Sequence, residues 1–508
     1  MTLKDDYSQL MDRNKELSIT MSAGAILYWD METKMPPRGV ELKSQQIAWI
    51  QKTAHRMLTD KKNGEILGSI KKAENYNTLS EIQKRNVYLA EKTYKEATML
   101  PEELVVETSK QGTKGVNVWK KAKATNDWAL FMPELQKMKD LKEKEASLLM
   151  DIKGAKNPYD ALIDNYEPRM TAEHITHIFD EMKTGLRKIM NKLMDQDQPS
   201  IQFTSRKVPE SVQKRIGEDM AGFVKYDIKS EEAGGRIDTT EHPFTTGYYT
   251  DVRITTNYHE DMFFSSVYSI LHEAGHALYE QGLPMDWMYQ PIGTSSSYGV
   301  HESMSRFIEN MVGRSSEFWS YYMPRLRELT GDTFKDITVD HMIKAANHVT
   351  PNKIRIEADE VTYGLHIIIR FELERDLFNG KLQVSELPQA WNDKYREYLG
   401  VEIENDSEGV MQDTHWGAGS FGYFPSYALG NIYDGLWLTK LNKDMPDWLN
   451  GIKNGSFGEV KKWLTENVYR YGNLYDPEDL VKHVTGSGLD VKPFINYLDH
   501  KFSKIYGI

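Results

Sequence analysis

The sequence predicts a mostly α-helical fold: one large helical unit over residues 1–508, with a small β-sheet beside a histidine-bearing helix. Three features point there. Long windows carry apolar residues at three- and four-residue spacing among charged ones, which is the helical period. One window, 234–258, breaks that pattern. No internal repeat, low-complexity linker or block of like charge divides the chain into modules.

The helical windows are 4–60, 78–150, 171–196 and 208–228. A further helix is expected over "TPNKIRIEADEVTYGLHIIIRFELERDLFNG", with Thr350 as its cap, Pro351 at its first position and Gly380 at its end. The C-terminal part reads as shorter helices with Gly and Pro punctuation. Between Gly234 and Tyr258, "GGRIDTTEHPFTTGYYTDVRITTNY" is rich in Thr, Tyr, Ile and Val and interrupted by Gly, so two or three short strands are expected. They immediately precede the histidine-bearing helix and are well placed to line a cleft.

Composition narrows the function classes. The formal net charge of −12 lacks the clustered positive charge that nucleic acid or an anionic membrane surface requires. The absence of cysteine removes disulfides, thiol chemistry and thiolate ligands, so any metal must be held by His, Asp or Glu. The first residues are charged, and no run of roughly 18 apolar residues is present, so a cytoplasmic protein without a membrane partner is expected.

The chemistry centres on "SILHEAGHALYEQ", Ser269 to Gln281. Helical residues four apart sit about 40° apart around the axis, so His272 and His276 can grip one metal ion. Glu273 lies to one side, near enough to hold the attacking water. Val267, Ile270, Leu271, Ala274 and Leu278 form an apolar stripe. The two histidines lie opposite it, beside Ser265, Ser269 and Glu280, and so face a cleft or solvent. Gly275 lets something approach the backbone closely. Zinc needs a third protein ligand. In "SSSYGVHESMSRFIENMVG", Glu302 falls opposite Met304, Phe307, Ile308 and Met311 and is favoured over His301, which lies nearer the apolar side. Nine of the 14 histidines lie between 242 and 415, which gathers candidate chemistry around the same motif.

Short motifs in order along the chain resemble the carboxypeptidase Taq family of zinc metallocarboxypeptidases. They are "HPF" (His242–Phe244), "DVRIT" (Asp251–Thr255), "HEAGH" (His272–His276), "HES" (His301–Ser303), "IRIEADE" (Ile354–Glu360) and "GVMQDTHW" (Gly409–Trp416). The N-terminal "LYWDMETKMPPRG" and the later "NPYDALIDNYEP" are similar to the family as well. Two positions depart from it: Met304 stands where glutamine is expected, and Arg169 where glycine is expected after "EP". The resemblance implies a helical fold with a long substrate groove, a small sheet beside the metal, and a homodimer.

It also implies the reaction. One Zn²⁺ per chain on His272, His276 and Glu302, replaceable by Co²⁺ or Mn²⁺, would serve removal of single amino acids from peptides with a free C-terminus. Glu273 is the expected base, and His415 and Tyr423 are candidates for the oxyanion. An exopeptidase must grip the terminal carboxylate, which suits an arginine fork. Arg355 is the first candidate and Arg253 the second, with Asp359 and Asp251 as their rival partners. His242 is a candidate peptide contact. "GAGSFG", Gly417–Gly422, fits a dinucleotide pattern but lacks the flanking strand and helix, so a flexible loop near the site is expected. The alternatives are a zinc endopeptidase or oligopeptidase on a similar scaffold, and a non-catalytic helical protein with an incidental motif.

Overall fold

The computed structural model describes residues 2–508. All four helical windows are helical, and each break has a local cause. The first helix, Leu3–Thr33, starts on a capping box between Thr2 and Asp5. It stops before Pro36 and Pro37, and Val40–Thr59 follows. The second window splits into Glu81–Met99, Glu102–Thr125 and Trp128–Lys153. Pro101 separates the first two, and Asn126 at φ 51° turns the chain between the last two. Ala172–Met194 starts on Thr171 and buries Ile175, Phe179, Met182, Leu186 and Leu193 along one face. Each such side chain contributes about 1.5–3 kcal/mol through burial.

The fifth expected helix starts later than the sequence implies. It runs Tyr363–Phe378, not from Pro351, and ends before Gly380 at φ 70°. Residues 350–362 are a loop, because their polar groups are tied elsewhere. Arg355 reaches Asp413, and Asp359 accepts from the backbone N–H groups of Val361 and Thr362 and from the Thr362 hydroxyl. The long-range Arg355–Asp413 pair and the local turn closed by Asp359 outweigh the cap that Thr350 and Pro351 offer. Tyr363–Phe378 and the Phe424–Asp444 helix are buried on nearly all sides and form the centre of the main core. That core draws side chains from Ala122 to Phe502, while a smaller cluster joins Leu3, Leu10, Ile66, Leu67, Ile70, Leu79 and Val87.

The 234–258 window forms three strands: β1 (Gly235–Thr239), β2 (Thr245–Tyr248) and β3 (Asp251–Thr256). β3 is central, parallel to β1 and antiparallel to β2. Val252 and Ile254 of β3 are fully buried, and the sheet packs on the motif helix, Phe263–Gly282. The first helix grips the sheet in turn. Trp29 is stacked between Arg236 and Arg253, and Lys34 pairs with Asp238 at 2.9 Å. No helix among the described residues is long and apolar enough to cross a membrane.

Candidate active site

The motif helix is buried almost all round. Val267, Ile270, Leu271, Ala274 and Leu278 all pack in the core, as their stripe implied. His272 and His276 keep 19% and 13% of their side chains exposed, so they are largely buried with a small solvent-facing part and not on open surface. What approaches Gly275 is the next helix, Tyr298–Arg306. A Cβ at Gly275 would lie 2.5 Å from the Met304 carbonyl oxygen and 2.6 Å from the Ser305 Cα. That approach brings Glu302 to the histidines. Its Oε2 lies 3.4 Å from His276 Nε2 and 3.8 Å from His272 Nε2. Among the described residues, these three form the group of His and acidic side chains close enough to hold a metal ion together. Gly275→Ala is expected to push the two helices apart and weaken metal affinity about tenfold or more, as read by metal titration of the folded protein.

Each member of the cluster is held from behind. His272 Nδ1 lies 2.9 Å from Glu309 Oε2; with Nε2 turned to the cluster, Nδ1 carries the proton and donates it. Glu309 stands on a π-helical turn, Phe307–Val312, and also accepts from Arg314 at 3.0 Å. Arg306 donates to Glu302 Oε1 at 2.9 Å. Lys501, on the last helix (Lys492–Tyr506), supports the same turn. It donates to the Asn310 carbonyl at 3.1 Å and to Glu360 at 2.6 Å. His301 stacks on His276 with ring centres 4.5 Å apart and pairs with Glu280 at 2.9 Å, so its own nitrogen is turned away from the cluster. Met304 is fully buried.

Electrostatics suit a cation here. Burial, with His301 beside it, takes His276 down to about 3, so its imidazole stays neutral and keeps a lone pair free. Burial would raise Glu302, but His272, His276 and Arg306 outweigh it and hold the carboxyl well below its usual range. Glu273 is pushed upward by burial, against the pull of His272 and Thr245. Its Oε2 lies 2.5 Å from Thr245 Oγ1, so β2 supplies a hydroxyl that fixes the carboxylate.

An aromatic group stands nearby. His415 stacks on Tyr423 at 5.6 Å and lies 3.4 Å from the Tyr427 hydroxyl through Nε2. Tyr423 also meets Tyr166 and Tyr298 edge-on at 5.1 Å and 5.6 Å. Burial takes His415 down to about 4 and pushes both Tyr423 and Tyr427 up, with Glu302 adding to the rise in each tyrosine. Arg355 is buried. Its Nε and Nη2 donate to Asp413 Oδ1 at 3.0 Å and 2.8 Å, and its Nη1 donates to the Tyr363 hydroxyl at 3.3 Å. The partner is therefore Asp413 and not Asp359. Arg370, with no exposed side chain, shares that carboxylate through Oδ2 at 2.6 Å. Arg253 is closed by Asp251 through two bonds of 2.8 Å. His242 is exposed on the β1–β2 connection.

"GAGSFG" is packed, not flexible, and a helix does follow it: Gly417 and Ala418 end the short helix His415–Ala418, and Phe424–Asp444 starts two residues after Gly422, with Pro425 in its first turn. The chain before it, residues 401–414, has no strand, and Gly417, Phe421 and Gly422 are buried. Gly422 donates to Glu374 at 2.8 Å. The sequence reading missed Tyr427, Asp413, Glu309 and Thr245. Tyr427 had a visible signal, since it stands four residues after Tyr423 at the start of one helix, the same spacing as the two histidines.

Comparison with known proteins decides the family. The family model "Carboxypeptidase Taq (M32) metallopeptidase" matches residues 9–502. The chain belongs to that family. It is a metallocarboxypeptidase, similar over its whole length to others of the kind. It is 36% identical to thermostable carboxypeptidase 1 of Thermus thermophilus, covering 100% of both chains. It is 35% identical to carboxypeptidase 1 of Bacillus subtilis, covering 98% of both. The crystal structure of the M32 carboxypeptidase from Deinococcus radiodurans superposes with a TM-score of 0.95 at 34% identity, covering 99% of this chain and 100% of that one.

The structure also accounts for a departure from the family pattern. Arg169 has φ 68°, in the left-handed region that favours glycine. That conformation costs an L-residue about 1–2 kcal/mol. Its backbone N–H donates to Asp164 at 2.8 Å, and its guanidinium reaches Asp476 and Asp479 at 3.1 Å and 3.3 Å. The side chain is mostly exposed, so those pairs recover little. Arg169→Gly is expected to change unfolding free energy by under about 1 kcal/mol, measured by urea denaturation.

Proposed function

We propose that this M32 enzyme is a zinc-dependent carboxypeptidase that releases single amino acids from the C-terminus of peptides. His272, His276 and Glu302 hold the cation, and Glu273 moves the proton. The convergence of two imidazole Nε2 atoms on one carboxylate oxygen, with a glutamate next to the first histidine, carries this reading. Two imidazole nitrogens and one anionic oxygen suit zinc with a position left open, and would also accept Co²⁺ or Mn²⁺. When bound, such a cation acidifies a water and polarises the scissile carbonyl.

Glu273 takes the proton from the attacking water and returns it to the leaving amine. Its upward shift serves both roles, because a carboxyl nearer neutrality gives as well as takes. Thr245 keeps it aimed. Tyr423, Tyr427 and His415 supply donors to the oxygen that becomes negative; both tyrosines stay protonated because burial raises them. Arg355 receives the terminal carboxylate. Arg355 and Arg370 share one buried aspartate, which leaves a net positive charge for an incoming anion. Arg253 is matched one-to-one by Asp251, whereas Asp413 is shared by two arginines, which ranks Arg253 below Arg355. His242 is left for contacts with the peptide upstream of the scissile bond.

A cytoplasmic homodimer of single-domain chains is part of the same proposal, and the cysteine-free composition is compatible with a reducing compartment. The test uses metal-loaded protein and two N-blocked short peptides, one with a free C-terminal carboxylate and one amidated. Release of the last residue from the free acid alone is the expected result. Equal internal cleavage of both peptides would sink it.

A further inference from the structure

Glu167 belongs to no motif assigned a role above, yet it is fully buried and its carboxylate has several hydrogen-bond donors. Oε1 accepts from the backbone N–H of Gly299 at 2.5 Å and from the Ser426 hydroxyl at 2.7 Å. Oε2 accepts from the Tyr433 hydroxyl at 3.3 Å. These donors come from two helices. Gly299 lies in the first turn of Tyr298–Arg306, whose next turn carries Glu302. Ser426 and Tyr433 lie on Phe424–Asp444, which begins directly after Tyr423 and carries Tyr427.

The contact is built for this residue. A Cβ at Gly299 would lie 2.8 Å from Glu167 Oε1 and 3.0 Å from the Tyr433 ring, so only glycine leaves room for the carboxylate. A carboxylate at a helix N-terminus also meets unpaired N–H groups and the positive end of the helix dipole. The neighbouring residue adds a second stitch: the Tyr166 carbonyl accepts from Tyr298 N–H at 3.0 Å, and its ring touches both Tyr298 and Tyr423. Below the clamp the two helices touch at the metal ligand itself, where a Cβ at Gly430 would lie 3.1 Å from Glu302 Cγ.

We infer that Glu167 is a positioning residue that sets the register between the helix carrying the metal-binding carboxylate and the helix carrying the oxyanion tyrosines. This rests on the metal and oxyanion roles proposed above. A shift of that register moves Glu302 relative to His272 and His276 and moves Tyr423 and Tyr427 relative to the scissile carbonyl. Both would be felt in metal retention and in kcat more than in KM, since neither residue grips the terminal carboxylate. A glutamine amide has the same shape and keeps one oxygen to accept from Gly299 and Ser426, so it is a fair stand-in.

The experiment compares Glu167→Gln and Glu167→Ala with the wild-type enzyme, using Zn²⁺ titration, steady-state kinetics and thermal melting. Ser426→Ala, which removes one donor and leaves the carboxylate in place, covers the case in which Glu167→Ala does not fold. Glutamine keeps an acceptor for Gly299 and Ser426, so it should stay within about threefold of wild type in Zn²⁺ affinity and kcat. Glu167→Ala should lose about 10–100-fold in each with KM changed less than threefold, and Ser426→Ala a smaller part of the same loss. A fall in melting temperature alone, with Zn²⁺ affinity and kcat kept in Glu167→Ala or Ser426→Ala, would overturn the inference. So would equal losses in Glu167→Gln and Glu167→Ala. Failure of wild-type protein to bind one Zn²⁺ would instead overturn the metal reading on which it rests.

Discussion

Replacing Glu273 with glutamine is expected to lower kcat by about 10²–10⁴-fold while one Zn²⁺ per chain stays bound and the melting temperature does not fall. The amide has the shape of the carboxylate and still accepts from the Thr245 hydroxyl, but it cannot take a proton from water. Glu273 is not among the three converging side chains proposed to hold the cation, so metal retention should be unaffected. Stability follows from the direction of its shift. A carboxyl raised above its unfolded value destabilises the fold once pH exceeds that unfolded value, because the charged form is paid for by burial. Glutamine removes that penalty. Retained kcat within tenfold, or loss of metal, would refute the role given to Glu273.

Asp413→Asn is the second large effect: a loss of about 3–5 kcal/mol in unfolding free energy, measured by urea denaturation at neutral pH. Asp413 is nearly buried and holds two guanidinium groups, Arg355 and Arg370, the latter with no solvent-exposed side chain. The arginines hold the Asp413 carboxyl far below its usual range against the opposing effect of burial. Without that charge, two buried cations face each other. Tyr395 and Tyr363 offer only neutral oxygens to them. Cleavage of free-acid peptides should fall too, because Arg355 loses the group that orients it. A loss below about 1 kcal/mol would mean that solvent reaches these charges and that the pair is not a closed unit.

The parts legible in the sequence were those governed by short-range spacing. The helical period put His272 and His276 on one face, and the Thr- and Tyr-rich window became three strands. Long-range partners left no comparable trace. Nothing near Arg355 in the chain names Asp413, 58 residues away. The same limit helped displace the helix start from Pro351 to Tyr363, where local cap signals lost to the Arg355–Asp413 pair and to the turn that Asp359 closes. Thr245 and Glu309 were hidden for that reason as well: each serves the motif helix from an element that only folding brings alongside.

Lys501 ties the site to a distant part of the chain, 191 residues from Asn310. A ribosome delivers the histidines and Glu302 long before the last helix, yet the turn that carries Glu309 is braced by a lysine on that helix. A nascent or truncated chain that lacks residues 492–508 thus lacks part of the support for its own metal site. Fragments cut short of residue 492 are therefore expected to bind the cation more weakly than the full chain.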